Sequence, residues 1–191
     1  MLKAVLIIVS LFCVVSLVAS AQTTSPASTN KTNRLIVYGE GFAFGVKEPD
    51  HWRADTGKLA DKYQANIAFA PDGDANDNVT LRVRVNSKVD ENTVEDLNYD
   101  MAGYKKEYPK ARFNDLSVRH SEYKTFAKLV FVPDEFYEYV AYVNPGAMSK
   151  FTLSVGMSKK SKPATPDELK AFATVLESLV WLPAGTATKA K

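Results

Sequence analysis

Apolar residues recur at two spacings along this chain, and the change from one spacing to the other divides it into elements. Leu81, Val83 and Val85 alternate with Arg82 and Arg84, which puts three aliphatic side chains on one face of a strand and two guanidinium groups on the other. Similar short runs at 35–38 and 42–46 are joined by Gly39-Glu40-Gly41, where glycine supplies the positive φ of a tight turn, so a hairpin is expected there. A second hairpin is predicted from 65–70 and 79–85, across the turn-rich stretch Pro71 to Asn78. Val94, Leu97, Met101 and Tyr104 then switch to helical spacing behind Asn92, a natural N-cap, and Pro109 ends that helix near Tyr108.

Three strands are predicted next, at 116–126 (with a break near Lys124), 127–132 and 135–143, and Asn144-Pro145-Gly146 turns the chain into another at 149–157. The closing helix announces itself: Thr165 as N-cap, Pro166 in the first turn, and Glu168 placed to complete a capping box. Leu169, Phe172, Val175, Leu176 and Leu179 form its core face. Strands, helix, strands, helix is the order of an α+β domain, an antiparallel β-sheet of about six to seven strands covered by helices. The alternation at 81–85 further implies that the face bearing Arg82 and Arg84 is wet.

The flanks have a different texture. Lys3, an apolar run from Ala4 to Ala19, and Ala19-Ser20-Ala21 follow the charged, apolar and small-residue order of a secretory signal, so residues 1–21 are read as a signal peptide cleaved after Ala21. A retained anchor is the competing reading, because the run is only slightly shorter than the roughly 20 residues of a membrane span. Cys13 lies deep in the run, after Leu11-Phe12, which excludes a lipoprotein signal. Residues 22–33, rich in Thr, Ser and Asn, read as a flexible linker and 183–191 as a flexible tail, leaving a single domain at 34–182. The protein is therefore expected to be exported, periplasmic or secreted, with no stable membrane insertion after cleavage. Cys13 is the only cysteine, so a domain freed of its leader folds on its core alone, without disulfides. Charge adds an exclusion: 24 basic against 22 acidic residues gives no electrostatic footprint for nucleic acid.

Candidate chemistry is sparse. Asp72, Asp74, Asn76 and Asp77 place oxygen ligands as a calcium loop would, but the glycine and glutamate required at the sixth and twelfth positions are Asp77 and Val83, and the same residue types crowd ordinary hairpin loops. His51, beside Trp52, reads as a ring packed at a turn, and His120 as a solvated strand residue near Glu122. Glu135 and Glu138, three apart in a strand, face opposite sides and form no glycosidase pair. No nucleophile turn or phosphate loop is present, so neither an enzyme nor a cofactor is expected. Two surfaces remain for binding: the face of the aromatic strand bearing Tyr137 and Tyr139, if exposed, and a basic patch including Arg82 and Arg84.

The glycine-rich opening hairpin, the Phe44 to Trp52 region with its Pro49 and Trp52, the hairpin with a polar loop, the tyrosine-bearing helix, and a closing helix ending in Leu179-Val180-Trp181 resemble the PsbP-like superfamily. That resemblance implies an antiparallel sheet between helices and a role in binding or assembly without chemistry. The expected function is accordingly a non-enzymatic binding domain of the cell envelope, its partner another envelope protein or a peptide. A periplasmic protein that binds a small molecule or a metal is the alternative.

Overall fold

The computed structural model describes residues 28–30, 34–74, 78–89, 92–146 and 149–182. In chain order the elements are β1 (Ser28–Asn30), β2 (Arg34–Gly39), β3 (Phe42–Lys47), β4 (Trp52–Asp55), α1 (Lys58–Lys62), β5 (Ile67–Pro71), β6 (Val79–Ser87), α2 (Thr93–Glu107), β7 (Arg112–Asp115), β8 (Lys124–Val132), β9 (Phe136–Asn144), β10 (Phe151–Lys160), α3 (Pro166–Ser178) and β11 (Val180–Leu182). A seven-stranded antiparallel sheet runs in the order β4-β5-β6-β10-β9-β8-β7, and a smaller sheet in the order β1-β2-β3-β11. The fold is α+β, with the large sheet covered by helices.

The centre of the large sheet is β10, paired with β6 from Phe151↔Ser87 to Lys159↔Val79 and with β9 from Leu153↔Val143 to Lys160↔Phe136. This register puts Leu81, Val83, Leu153, Val155 and Met157 on one face, all fully buried. Phe172, Val175 and Leu176 of α3 close that face together with Val37, Phe44 and Val46 of the small sheet. The helix starts as its sequence spells: the Glu168 amide donates to Thr165 Oγ1 at 3.3 Å, and the Glu168 carboxylate accepts from the Thr165 amide at 2.7 Å.

The opposite face, expected to be wet, is covered in part, and the stretch that bears Arg82 and Arg84 lines an open cleft. Leu97 of α2 packs on Val130, Val132, Val140 and Tyr142, while α1 lies over β4 and β5. Asn92 caps α2 through the Val94 amide at 3.1 Å. Asp96, one turn inside, accepts from the Val89 amide at 2.6 Å and from the Thr152 hydroxyl at 2.5 Å, and so pins the start of α2 to the segment that follows β6 and to β10.

Residues 116–123 are not the strand that their sequence suggests. They form a loop between β7 and β8 around His120, which is buried rather than solvated. Its Nδ1 accepts from the amides of Glu122 at 2.9 Å and Tyr123 at 3.1 Å, so the proton sits on Nε2, which donates to the Leu179 carbonyl at 2.9 Å. One imidazole thereby satisfies three main-chain groups, and the Tyr123 hydroxyl adds a fourth by accepting from the Trp181 amide at 3.1 Å. His51, expected to be packed, is instead exposed at φ +63°, and it is Trp52 that is buried.

Within the stretch read as a linker, Ser28–Asn30 pairs antiparallel with Arg34 to Ile36; an edge strand forms through its backbone and needs no apolar pattern. Residues 1–21, read as a signal peptide, the remainder of 22–33, and 183–191 lie outside the described residues. Among the described residues no helix is long and apolar enough to cross a membrane. Because the buried His120 ring serves three main-chain groups, the Leu179 carbonyl buried among them, His120→Leu is expected to destabilise the domain by about 2 kcal/mol, measured as a drop in the urea midpoint at constant slope.

Candidate functional site

Between α1 and α2 the second face of the sheet is left without an apolar lid, and its floor is polar. Four positions that alternate with the core residues build it: Arg82 and Arg84 on β6, Glu138 on β9 and Ser158 on β10. Arg82 Nη2 donates to Glu138 Oε1, Arg82 Nη1 donates to Ser158 Oγ at 2.5 Å, and Ser158 donates in turn to Glu138 Oε2. This closed triangle is largely withdrawn from water, with side-chain exposures of 11% for Arg82 and 4% for Glu138. A buried carboxylate is tolerable here because both of its oxygens are hydrogen-bonded, one of them to a charged donor.

The triangle fits because of a missing side chain. Gly156 stands opposite both Arg82 and Val140 in the register. A Cβ added to it would lie 3.0 Å from Glu138 Oε1 and 3.1 Å from Arg82 Cζ. Gly156 was not singled out from the sequence; the only cue was a glycine in the middle of a strand, a common sign of close approach by another group.

Arg84 is bound differently. Its Nε donates to the Tyr63 carbonyl, at the end of α1, at 3.2 Å, and Nη2 reaches the same oxygen. No carboxylate stands within ion-pair reach of it among the described residues. Burial, followed by the neighbouring Arg82 charge, pushes the Arg84 guanidinium below its usual value, the direction expected of an under-compensated cation. Asn86, Ser154 and Gly156 continue the floor, and Tyr99, Asp100 and Tyr104 of α2 form one wall of a cleft of about 260 Å³. Asp100 Oδ2 accepts from the Tyr142 hydroxyl at 2.5 Å, which fastens this wall to β9.

Of the residues proposed from the sequence, Arg82 and Arg84 do come together, though Arg82 is neutralised by Glu138. The tyrosine surface does not exist as an exposed patch. Tyr139 is buried beneath α3, where its hydroxyl accepts from the Ala164 amide at 3.0 Å and its ring lies 6.4 Å from Phe172; Tyr137 stacks on Phe131 at 4.7 Å. In the proposed metal loop, Asp74 accepts from the Asn78 amide at 2.9 Å and from the Asn78 side chain at 3.1 Å, the bonding of a turn. Asp72 lies across from Asp167 and Glu168 in a separate hollow, while Asn76 and Asp77 fall outside the described residues. Among the described residues no three metal-ligating side chains gather. Glu135 belongs to the turn before β9 and Glu138 to the strand, yet both border the same hollow.

No family model matches the chain, and no curated protein matches it. The cleft must therefore be read from its own chemistry. It has a fixed cation at one point, a compensated ion pair beside it, and tyrosines on its wall; the Ser158 hydroxyl that donates to Glu138 is tied into the ion pair with Arg82.

Two outcomes follow. Gly156→Ala should displace the triangle and cost about 1–3 kcal/mol in chemical denaturation, since overpacking forces the ion pair out of its geometry. Burial, first, holds both the Tyr142 and Tyr104 phenols above their usual values, with the nearby Asp100 and Glu138 charges respectively next in weight. Groups raised in this way protect the folded state below the unfolded phenol value of about 10 and lose that contribution as pH climbs past it. The urea midpoint should thus fall between pH 9 and pH 11, and fall less in Tyr142→Phe.

Proposed function

We propose that this protein is an exported binding domain of the cell envelope, without catalysis or cofactor, which engages a protein or peptide segment along the cleft between α1 and α2. The observation that carries the reading is Arg84: a half-buried guanidinium, positioned by a carbonyl oxygen alone, at the floor of an open cleft. Such a group favours a carboxylate from outside the chain, because planar bidentate pairing satisfies donors that Tyr63 leaves unused. The cleft of about 260 Å³ is smaller than the roughly 300–1,000 Å³ of enclosed small-molecule sites, which favours a side chain of a larger partner over a free ligand.

The resemblance to the PsbP-like superfamily supports the same reading at the level of fold, since a sheet between helices serves binding and assembly there. The tyrosine face is no longer part of it, for Tyr139 is covered. In vivo crosslinking of the exported form should recover a partner. Arg84→Gln should reduce that recovery about tenfold, the loss of one charged hydrogen-bond pair, with an unchanged melting temperature. Undiminished recovery would remove Arg84 from the interface.

A further inference from the structure

The cleft does not end at Arg84. A second hollow of about 430 Å³ shares Tyr104 and Glu138 with it and continues along β6 toward Thr80. Its character is the reverse of the first. Tyr63, Tyr104, Tyr108 and Phe136 supply aromatic walls, with Tyr108 edge-on to Phe136 at 5.2 Å and Tyr104 tilted against it at 6.3 Å. Glu107 and Glu135 stand at its border, both exposed and neither ion-paired among the described residues. Of the lysines nearby, Lys159 is held by Glu168 at 2.5 Å, Lys160 is exposed, and Lys62 Nζ lies 5.2 Å from the centre of the Tyr63 ring, which leaves the rings of Tyr104, Tyr108 and Phe136 for a cation from outside. On the floor, the Thr80 hydroxyl is buried and has no hydrogen-bond partner.

Aromatic faces attract a cation through their quadrupoles, and carboxylates at the border add to that attraction. An unpaired buried hydroxyl is a cost that an incoming polar group can relieve. A hydrogen bond to Glu107, first, holds the Tyr108 phenol above its usual value, and burial and then the Glu107 and Glu135 charges act in the same direction. We infer that this hollow seats a lysine side chain of the segment whose carboxylate reaches Arg84, so that the trench reads an acidic and a basic residue together. The inference rests on the proposed binding role of the cleft and gives it a polarity. Arg84 and Thr80 are four residues apart on β6, about 13 Å at the rise of a strand, so in an extended segment the two charges stand about four residues apart.

The test is an NMR titration of the exported domain with the peptide Ac-Glu-Ala-Ser-Ala-Lys-NH2 and with its lysine-acetylated counterpart. The unmodified peptide should shift the Tyr108 and Phe136 signals saturably, and acetylation should weaken binding at least fivefold and abolish those shifts. Combining Glu107→Gln with Glu135→Gln, both at exposed positions, should weaken the unmodified peptide several-fold and leave the acetylated one unchanged. Tyr108 and Phe136 signals that stay still, or peptides that bind equally, would overturn the inference. Choline binding at those signals as tightly as the peptide would overturn the choice of a lysine side chain. Shifts at Asn86 and Ser154 report the Arg84 end separately, so the reading of the cleft can stand or fall apart from its aromatic extension.

Discussion

Everything on the second face of the large sheet is arranged around a buried charge pair. Taking Arg82 and Glu138 out of water is unfavourable unless every polar atom of the carboxylate is occupied, and Ser158 and the guanidinium do this between them. The pair lies flat across β10 only because Gly156 has no side chain. Once that polar block occupies the middle of the face, no helix can bury an apolar stripe there. The two helices on this side therefore sit apart, α1 toward β4 and β5 and α2 toward β8 and β9. The gap between them is the cleft, so the site and the fold have a common cause.

The first face shows what alternation alone can specify. Leu81, Val83 and Val85 announce a buried face, and Thr165 with Glu168 announces the helix that covers it. These features were legible because the strand period and the capping box are local properties of a few consecutive residues. The polar face was legible only as polar. Arg82 and Arg84 look identical in the sequence, and nothing local reveals that one meets Glu138 56 residues away while the other meets a carbonyl 21 residues away.

Other elements were hidden for other reasons. The loop 116–123 opens with Leu116 and Val118 in alternation and reads as strand, but His120 draws main-chain groups toward its ring that a ladder would otherwise pair. β11 is three residues long and β1 is polar, so neither carries a period. Both join the small sheet by backbone hydrogen bonding, with β3 and β2 as templates. Tyr139 was ambiguous for the opposite reason: an aromatic strand with large residues on both faces does not reveal which face is covered.

The fastening of α2 has a mechanical consequence. Asp96 and Thr93 bind its first turn to Thr152 and Val89, and Asp100 binds the next to Tyr142, while beyond that point Tyr104 and Tyr108 meet Phe136 through ring contacts alone. The helix is a beam clamped by polar bolts at one end and resting on a cushion at the other. Its clamped end sets the distance across the Arg84 floor, while its other end meets the sheet through rings and reaches the chain before β7 by Lys105 Nζ, which donates to the Ala111 carbonyl at 3.0 Å. The trench is thus fastened by polar bonds at its charged end and by ring contacts at its aromatic end.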